Sequence, residues 1–196
     1  TGTITYKGQD ITFATPKEKR EKKIGYVPQD RLATGCSTDC SLVENCIMGY
    51  HVAHRFRNPL LVNKKEAEDF TRKVVEQFQV KTQDIHDKMG TLSGGNIQKA
   101  VLARELSGSP QVIIADQPTR GVDVGATEFI RRRLVEMRDE GNGVILVTSD
   151  LNEVLGLSDS LIVMYEGRIV AYISDTSRMT ENQLGTYMLG IQVQSE

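Results

Sequence analysis

The sequence predicts an α/β fold: a parallel sheet with flanking helices, joined to a helical segment near the middle of the chain. Three observations lead there. Short apolar runs, Ile24–Val27, Val112–Asp116 and Val144–Thr148, have strand length and sharp ends. The segments between the later runs carry helical spacing, so strand, helix and strand alternate, the order that builds a parallel sheet. Between residues 41 and 90 the pattern is helical throughout, with Ala67, Phe70, Val74 and Phe78 falling on one face.

The elements follow in order. "TITYKGQDITF" alternates apolar residues around Lys7-Gly8-Gln9-Asp10 and reads as a hairpin. "IGYV" is a strand that stops at Pro28. Ser41 with Glu44, and Asn63 with Glu66, have the spacing of capping boxes, which predicts helix starts at both, with a polar loop from Asn58 to Asn63 between them. "QVIIAD" is a buried strand, and Asp123 opens a helix with Ile130, Leu134 and Met137 on one face. "GVILVTS" is the next strand and "LNEVLGL" a short helix. "SLIVMY" and "RIVAYI" are strands joined at Glu166-Gly167, and Thr180–Leu189 forms the last helix. Three parts result: 1–40, the hairpin and first core strand; 41–90, a helical subdomain; and 91–196, the rest of the core.

Composition excludes several classes. With 39% hydrophobic and 26% charged residues the chain can bury a core, and a net charge of -2 leaves no electrostatic footprint for nucleic acid or an anionic membrane. No apolar run is long enough to span a bilayer. Thr1–Tyr6 is polar and unlike a signal peptide, and the absence of an initiating Met reads as a piece of a longer protein. Cys36, Cys40 and Cys46, even with His51 and His54 nearby, lack metal-site spacing and read as reduced cytosolic thiols.

The stretch that concentrates chemistry is "TLSGGNIQKA", residues 91–100, which places two glycines at a helix start. A serine cap on a loop accounts for Ser93 alone. The glycines fit anion binding: the N-terminus of a helix presents free N–H groups and partial positive charge, and glycine lets a phosphate reach the backbone. Ser93 and Asn96 add a hydroxyl and an amide. A helix later, "QVIIADQPT" is an apolar strand that ends in a carboxylate, the arrangement that holds magnesium in nucleotide-binding sheets.

LSGG-x-x-Q-K followed by this D-x-P-T pattern resembles the ATP-binding cassette (ABC) ATPases across nearly the whole chain. "QPTRGVDVGA" and "TSDLNEVLGLSD" are similar to the second cassette of the two-cassette ATPases that energise importers of simple sugars and nucleosides. The resemblance assigns the Q-loop position to Gln29, which in the family senses magnesium and touches the membrane subunit. It makes Leu92–Asn96 (Leu92, Ser93, Gly94, Gly95, Asn96) the signature loop, Asp116 the magnesium-supporting Walker B aspartate, and Asp123, also a plain helix cap, the D-loop aspartate. It implies ATP and Mg²⁺ as cofactors of the intact cassette, with Gln29 and Asp116 toward the metal. It implies as partners a first cassette on the same polypeptide, transmembrane permease subunits and, indirectly, a substrate-binding lipoprotein, at the cytoplasmic face of the cell membrane. The Asp-Gln-Pro-Thr-Arg-Gly form leans toward nucleoside import. Arg120 is left open between a structural and a partner-facing role.

Three departures from the family pattern matter. Gln117 stands where the family has its catalytic glutamate, and a neutral amide accepts no proton, which removes a general-base contribution of roughly 10²–10⁴ in rate. Ser149 stands at the switch-histidine position without a positive charge. No G-x-x-x-x-G-K-[ST] run occurs in the 196 residues, so the phosphate loop and its strand are expected upstream of the hairpin. The expectation is a chain that lends its signature loop to a partner's ATP while its own site is degenerate, and that alone neither holds ATP tightly nor hydrolyses it. The alternative is an ABC-type ATPase of DNA repair or chromosome maintenance. It is weakened by the 63 positions from Gln29 to Leu92, too few for a long coiled coil, and by missing heptads and basic stripes.

Overall fold

The computed structural model describes residues 2–51, 56 and 61–194. His54 and the start of the polar loop at Asn58 lie outside the described residues. The chain divides into two compact units, 1–145 and 146–196. Among the described residues no helix is long and apolar enough to cross a membrane.

The first unit opens with the predicted hairpin, β1 (Thr5–Tyr6) against β2 (Gln9–Asp10). Its turn is the two residues Lys7 and Gly8, both at positive φ, the twist a tight hairpin needs. Helix α1 (Pro16–Glu21) follows. The sequence reading omitted it, although Thr15 and Glu18 form a full capping box and Pro16 sits at the first helical position.

Strand β3 (Ile24–Val27) pairs in parallel with β4 (Val112–Asp116), with Ile24 opposite Val112 and Val27 opposite Ala115. Strand β5 (Gly143–Val147) completes the order β3-β4-β5, so the parallel α/β sheet forms from the three expected runs. Val27, Ile113 and Ala115 are fully buried in it.

Helices α2 (Leu42–Ile47) and α3 (Lys64–Gln77) start at their expected caps, Ser41 and Asn63. Val43 and Ile47 of α2 meet Ala67 of α3, Phe56 and Ile85 in one core, where the Phe56 and Phe70 rings stand edge to face at 5.3 Å. The helical pattern does not run to residue 90. Gln79 takes a left-handed φ of 52° that ends α3. Beyond it the polar groups bond locally: Thr82 Oγ1 donates to the Asp84 carbonyl, Asp84 Oδ1 accepts from the His86 amide, and Asp87 Oδ2 from the Asp84 amide. Such side-chain bonds compete with helix, and only a single 3₁₀ turn, Met89–Thr91, precedes the signature stretch. Helices α4 (Gly94–Ser107) and α5 (Val124–Asp139) complete this unit.

In the second unit α6 (Leu151–Leu157) precedes an antiparallel hairpin of β6 (Leu161–Tyr165) and β7 (Arg168–Ile173), then α7 (Glu181–Met188). Glu166 and Gly167, both at positive φ, make the turn. Leu161, Val163, Val170, Ala171 and Leu184 form its core. Strands β6 and β7 make a two-stranded sheet of their own. The hairpin forms because its pairing is local in sequence.

Candidate functional site

In a parallel sheet the loops that leave the carboxyl ends of the strands converge on one edge, where ligands bind. The β3–β4 register brings two such ends together here. Gln29 lies two residues past the end of β3 and is exposed; Asp116 closes β4 and is half-buried, with Gln117 next. The Tyr26 phenol is pushed up, by burial first and then by the Asp116 carboxylate, which places that negative charge beside β3.

The loop after Gln29 is built tightly. Asp30 Oδ1 accepts from the amides of Leu32 and Ala33 at 3.0 and 2.9 Å, and its carbonyl accepts from Thr34 and Gly35, closing a five-residue π turn, Arg31–Gly35. Such turns recur at functional sites. Arg31 is the residue they aim. Its Nη1 donates to the Arg120 carbonyl at 2.8 Å and its Nη2 to the Gly121 carbonyl at 3.1 Å.

Gln117 holds a left-handed φ of 47°, a conformation that costs a non-glycine residue about 1–3 kcal/mol. It starts the turn that carries the chain to Asp123; the Arg120 amide donates to its carbonyl. Asp123 caps α5 by accepting the Ala126 amide at 2.9 Å.

The signature stretch begins α4 as expected. Ser93 is exposed at the cap, and its Oγ accepts from Asn96 Nδ2 at 2.8 Å and, longer, from the Asn96 amide. Asn96 Oδ1 accepts the Lys81 amide, which ties the first turn of α4 to the segment after α3. The glycines are explained by more than phosphate access. A Cβ on Gly94 would stand 2.8 Å from Arg31 Nη2, and one on Gly95 would stand 2.7 Å from Asp123 Oδ2 and 3.1 Å from the Ala126 methyl. The first turn of α4 therefore packs against both neighbouring loops, and a side chain at either position would have to displace the Arg31 head or the Asp123 carboxylate.

The structure thus gathers Gln29, Leu92–Asn96, Asp116, Gln117 and Asp123 in one unit. Ser149 belongs to the other, exposed just after β5, beside Thr148, whose Oγ1 donates to the buried Glu153 at 2.7 Å. Arg31 escaped the sequence reading, since an arginine in a polar loop carries no distinguishing pattern. Its separation of two residues from Gln29 was the available signal.

Among the described residues no three His, Cys, Asp or Glu side chains cluster as a metal cage. One carboxylate, Asp116, with the Gln29 amide at the same sheet edge, suits Mg²⁺ brought by a nucleotide, since that ion is held by one or two carboxylates, phosphate oxygens and water. When bound it would neutralise phosphate charge. Burial pushes the Cys46 thiol up to about 12 and also raises the Cys36 thiol.

The family model described as "ABC transporter" matches residues 1–120. The guanosine import ATP-binding protein NupO of Bacillus subtilis is 39% identical over 189 residues, covering 96% of this chain and 37% of that protein. The glucose import ATP-binding protein TsgD13 of Haloferax volcanii is 39% identical over 191 residues, covering 96% and 34%. The chain thus spans little more than a third of the length of these curated relatives. Among solved structures, a nucleotide-free ATP-binding cassette from an ABC transporter superposes with a TM-score of 0.71 at 23% identity, covering 96% of this chain and 74% of that one. A dimeric cassette in a post-hydrolysis state with ADP and Pi gives 0.69 at 23%, covering 88% and 72%. These structures share the fold, and the family model, matching well over half of the residues, decides membership: the chain belongs to the ABC transporter family.

Proposed function

We propose that this chain is part of the ATP-binding subunit of an importer for simple sugars or nucleosides, and that it lends its signature loop to an ATP molecule held by a partner cassette. The observation that carries the reading is the N-terminus of α4. Ser93 is exposed there, and the first turn is held by neighbouring loops against Gly94 and Gly95, so the free N–H groups of a 14-residue helix are offered to an anion in a fixed orientation. The relatives named for guanosine and glucose import favour this reading over the DNA-repair alternative.

The chain's own site is catalytically degenerate in this proposal. Gln117 supplies no general base and Ser149 no charge, so Gln29 and Asp116 serve a nucleotide with its Mg²⁺ that turns over slowly or not at all. The partners are a first cassette on the same polypeptide, permease subunits received by the helical subdomain of residues 41–90 together with the Gln29 loop, and indirectly a substrate-binding lipoprotein. The work site is the cytoplasmic face of the membrane.

Uptake of labelled guanosine and glucose by cells carrying the full-length protein and its permease tests this. Ser93→Arg is expected to abolish ATP-driven uptake, because it drives a bulky side chain into the anion position, while Gln117→Ala leaves most of it. Equal losses in the two variants overturn the asymmetric assignment.

A further inference from the structure

We infer that Arg31 is a positioning residue that locks three segments into one moving piece: the loop after β3, the first turn of α4 and the turn between β4 and α5. The inference deepens the proposed function in one respect, that the loop after β3 receives the permease and α4 receives the nucleotide.

Arg31 is aimed from below and gripped from above. Below it, the Asp30 turn fixes its backbone, and Gly35 leaves room for its stem: a Cβ there would meet Arg31 Cβ at 3.4 Å and Pro28 Cγ at 3.3 Å. Above it, the two arms of the guanidinium donate to consecutive carbonyls, Arg120 and Gly121. The planar fork meets the two acceptors in a fixed geometry, whereas a lysine head is a compact charge with rotatable donors. Beside it, Nη2 occupies the position next to Gly94, 2.8 Å from where a Cβ would be. Gly94 lies within α4 and needs no unusual conformation, and a side chain there would crowd the Arg31 head.

Displacing the loop after β3 pulls through the fork on Arg120 and Gly121 and, by contact, on Gly94. A push from a membrane subunit on one side thereby reaches the phosphate-facing turn on the other.

The test uses the full-length protein with wild type, Arg31→Ala, Arg31→Lys, Gly94→Ala and the double variant. Hydrogen exchange reads the lock without reference to transport. In Arg31→Ala the amides of 94–96 and 121–123 are expected to exchange faster, with the thermal midpoint and the exchange of β7 unchanged. Gly94→Ala is expected to loosen the same amides alone, yet to add nothing in the Arg31→Ala background, because the atom it strikes is gone. Unchanged exchange, or additive effects of the two substitutions, overturns the lock. In the uptake assay Arg31→Ala is expected to lower the maximal rate roughly tenfold, and Arg31→Lys to recover part of the loss; in an ATPase assay of the purified full-length protein with its permease the KM for ATP is expected to stay nearly unchanged, since the residue positions without holding nucleotide. Full uptake despite altered exchange overturns the transmission role. Failure of the wild type to take up any sugar or nucleoside strikes at the proposed function, while the exchange data still decide the lock.

Discussion

Helices α3 and α4 have the same length, 14 residues, and similar caps, an Asn63 or Ser93 side chain accepting an amide three residues on. Their surroundings differ. α3 buries Ala67, Thr71 and Val74 and turns its charges to water. α4 buries nine residues, including the adjacent pair Arg104 and Glu105. Glu105 is fully buried and accepts from Arg104 Nε at 2.9 Å, Arg20 Nη2 at 3.1 Å and the Tyr26 amide at 3.4 Å. It thereby joins α4 to α1 and to β3, the strand that leads to Gln29. The difference teaches where rigidity is placed: the helix that presents the candidate anion site is anchored by a satisfied buried charge, whereas its surface counterpart rests on an apolar stripe.

The largest expected effect breaks this comparison at its strongest point. Glu105→Ala leaves the buried Arg104 guanidinium, and the partly exposed one of Arg20, without their carboxylate and is expected to cost about 3–5 kcal/mol. Glu68→Ala in α3 removes only solvent-exposed contacts to Arg72 at 3.8 Å and His86 at 3.6 Å, and is expected to cost less than about 1 kcal/mol. Urea titrations of both variants measure the contrast, and similar midpoints would erase it.

Gly95→Ala sharpens the comparison by its sign. Intrinsic propensity favours alanine over glycine in a helix by up to about 1 kcal/mol. Against Asp123 Oδ2 and Ala126 the added methyl is nonetheless expected to destabilise by about 1–3 kcal/mol. A stabilised variant would show that the contact yields.

The smallest effect probes the buried side of α3. Cys46 of α2 is deeply buried, and its thiol, hydrogen-bonded to Thr71, is raised from 9.0 to about 12 chiefly by burial. In the unfolded chain it ionises near 9.0, so its contribution is full below that pH and is lost as pH climbs toward about 12. Between pH 9 and 10 the wild type is expected to lose about 1 kcal/mol more stability than Cys46→Ala. Parallel losses in the two proteins would place the thiol in contact with water.

The candidate site was legible to the extent that it is written in short motifs. Ser93–Asn96, Asp116, Asp123 and Gln29 each stand at the end of an element whose pattern could be read, and the structure brings them into one unit. Arg31 and Glu105 were not legible, since isolated charges look alike in a sequence whether they face water or clamp a backbone.

Local chemistry determined the three parallel strands, the Glu166-Gly167 hairpin and the helix starts at Ser41, Asn63, Ser93 and Asp123. In each case the deciding interactions lie within a few residues: alternation, turn conformation, a side-chain cap. Tertiary structure alone decided that Glu105 is buried, and that Arg31 and Asp123 fill the space beside Gly94 and Gly95. Those contacts join residues about 30 to 80 positions apart, and no window of sequence records which distant side chain will arrive.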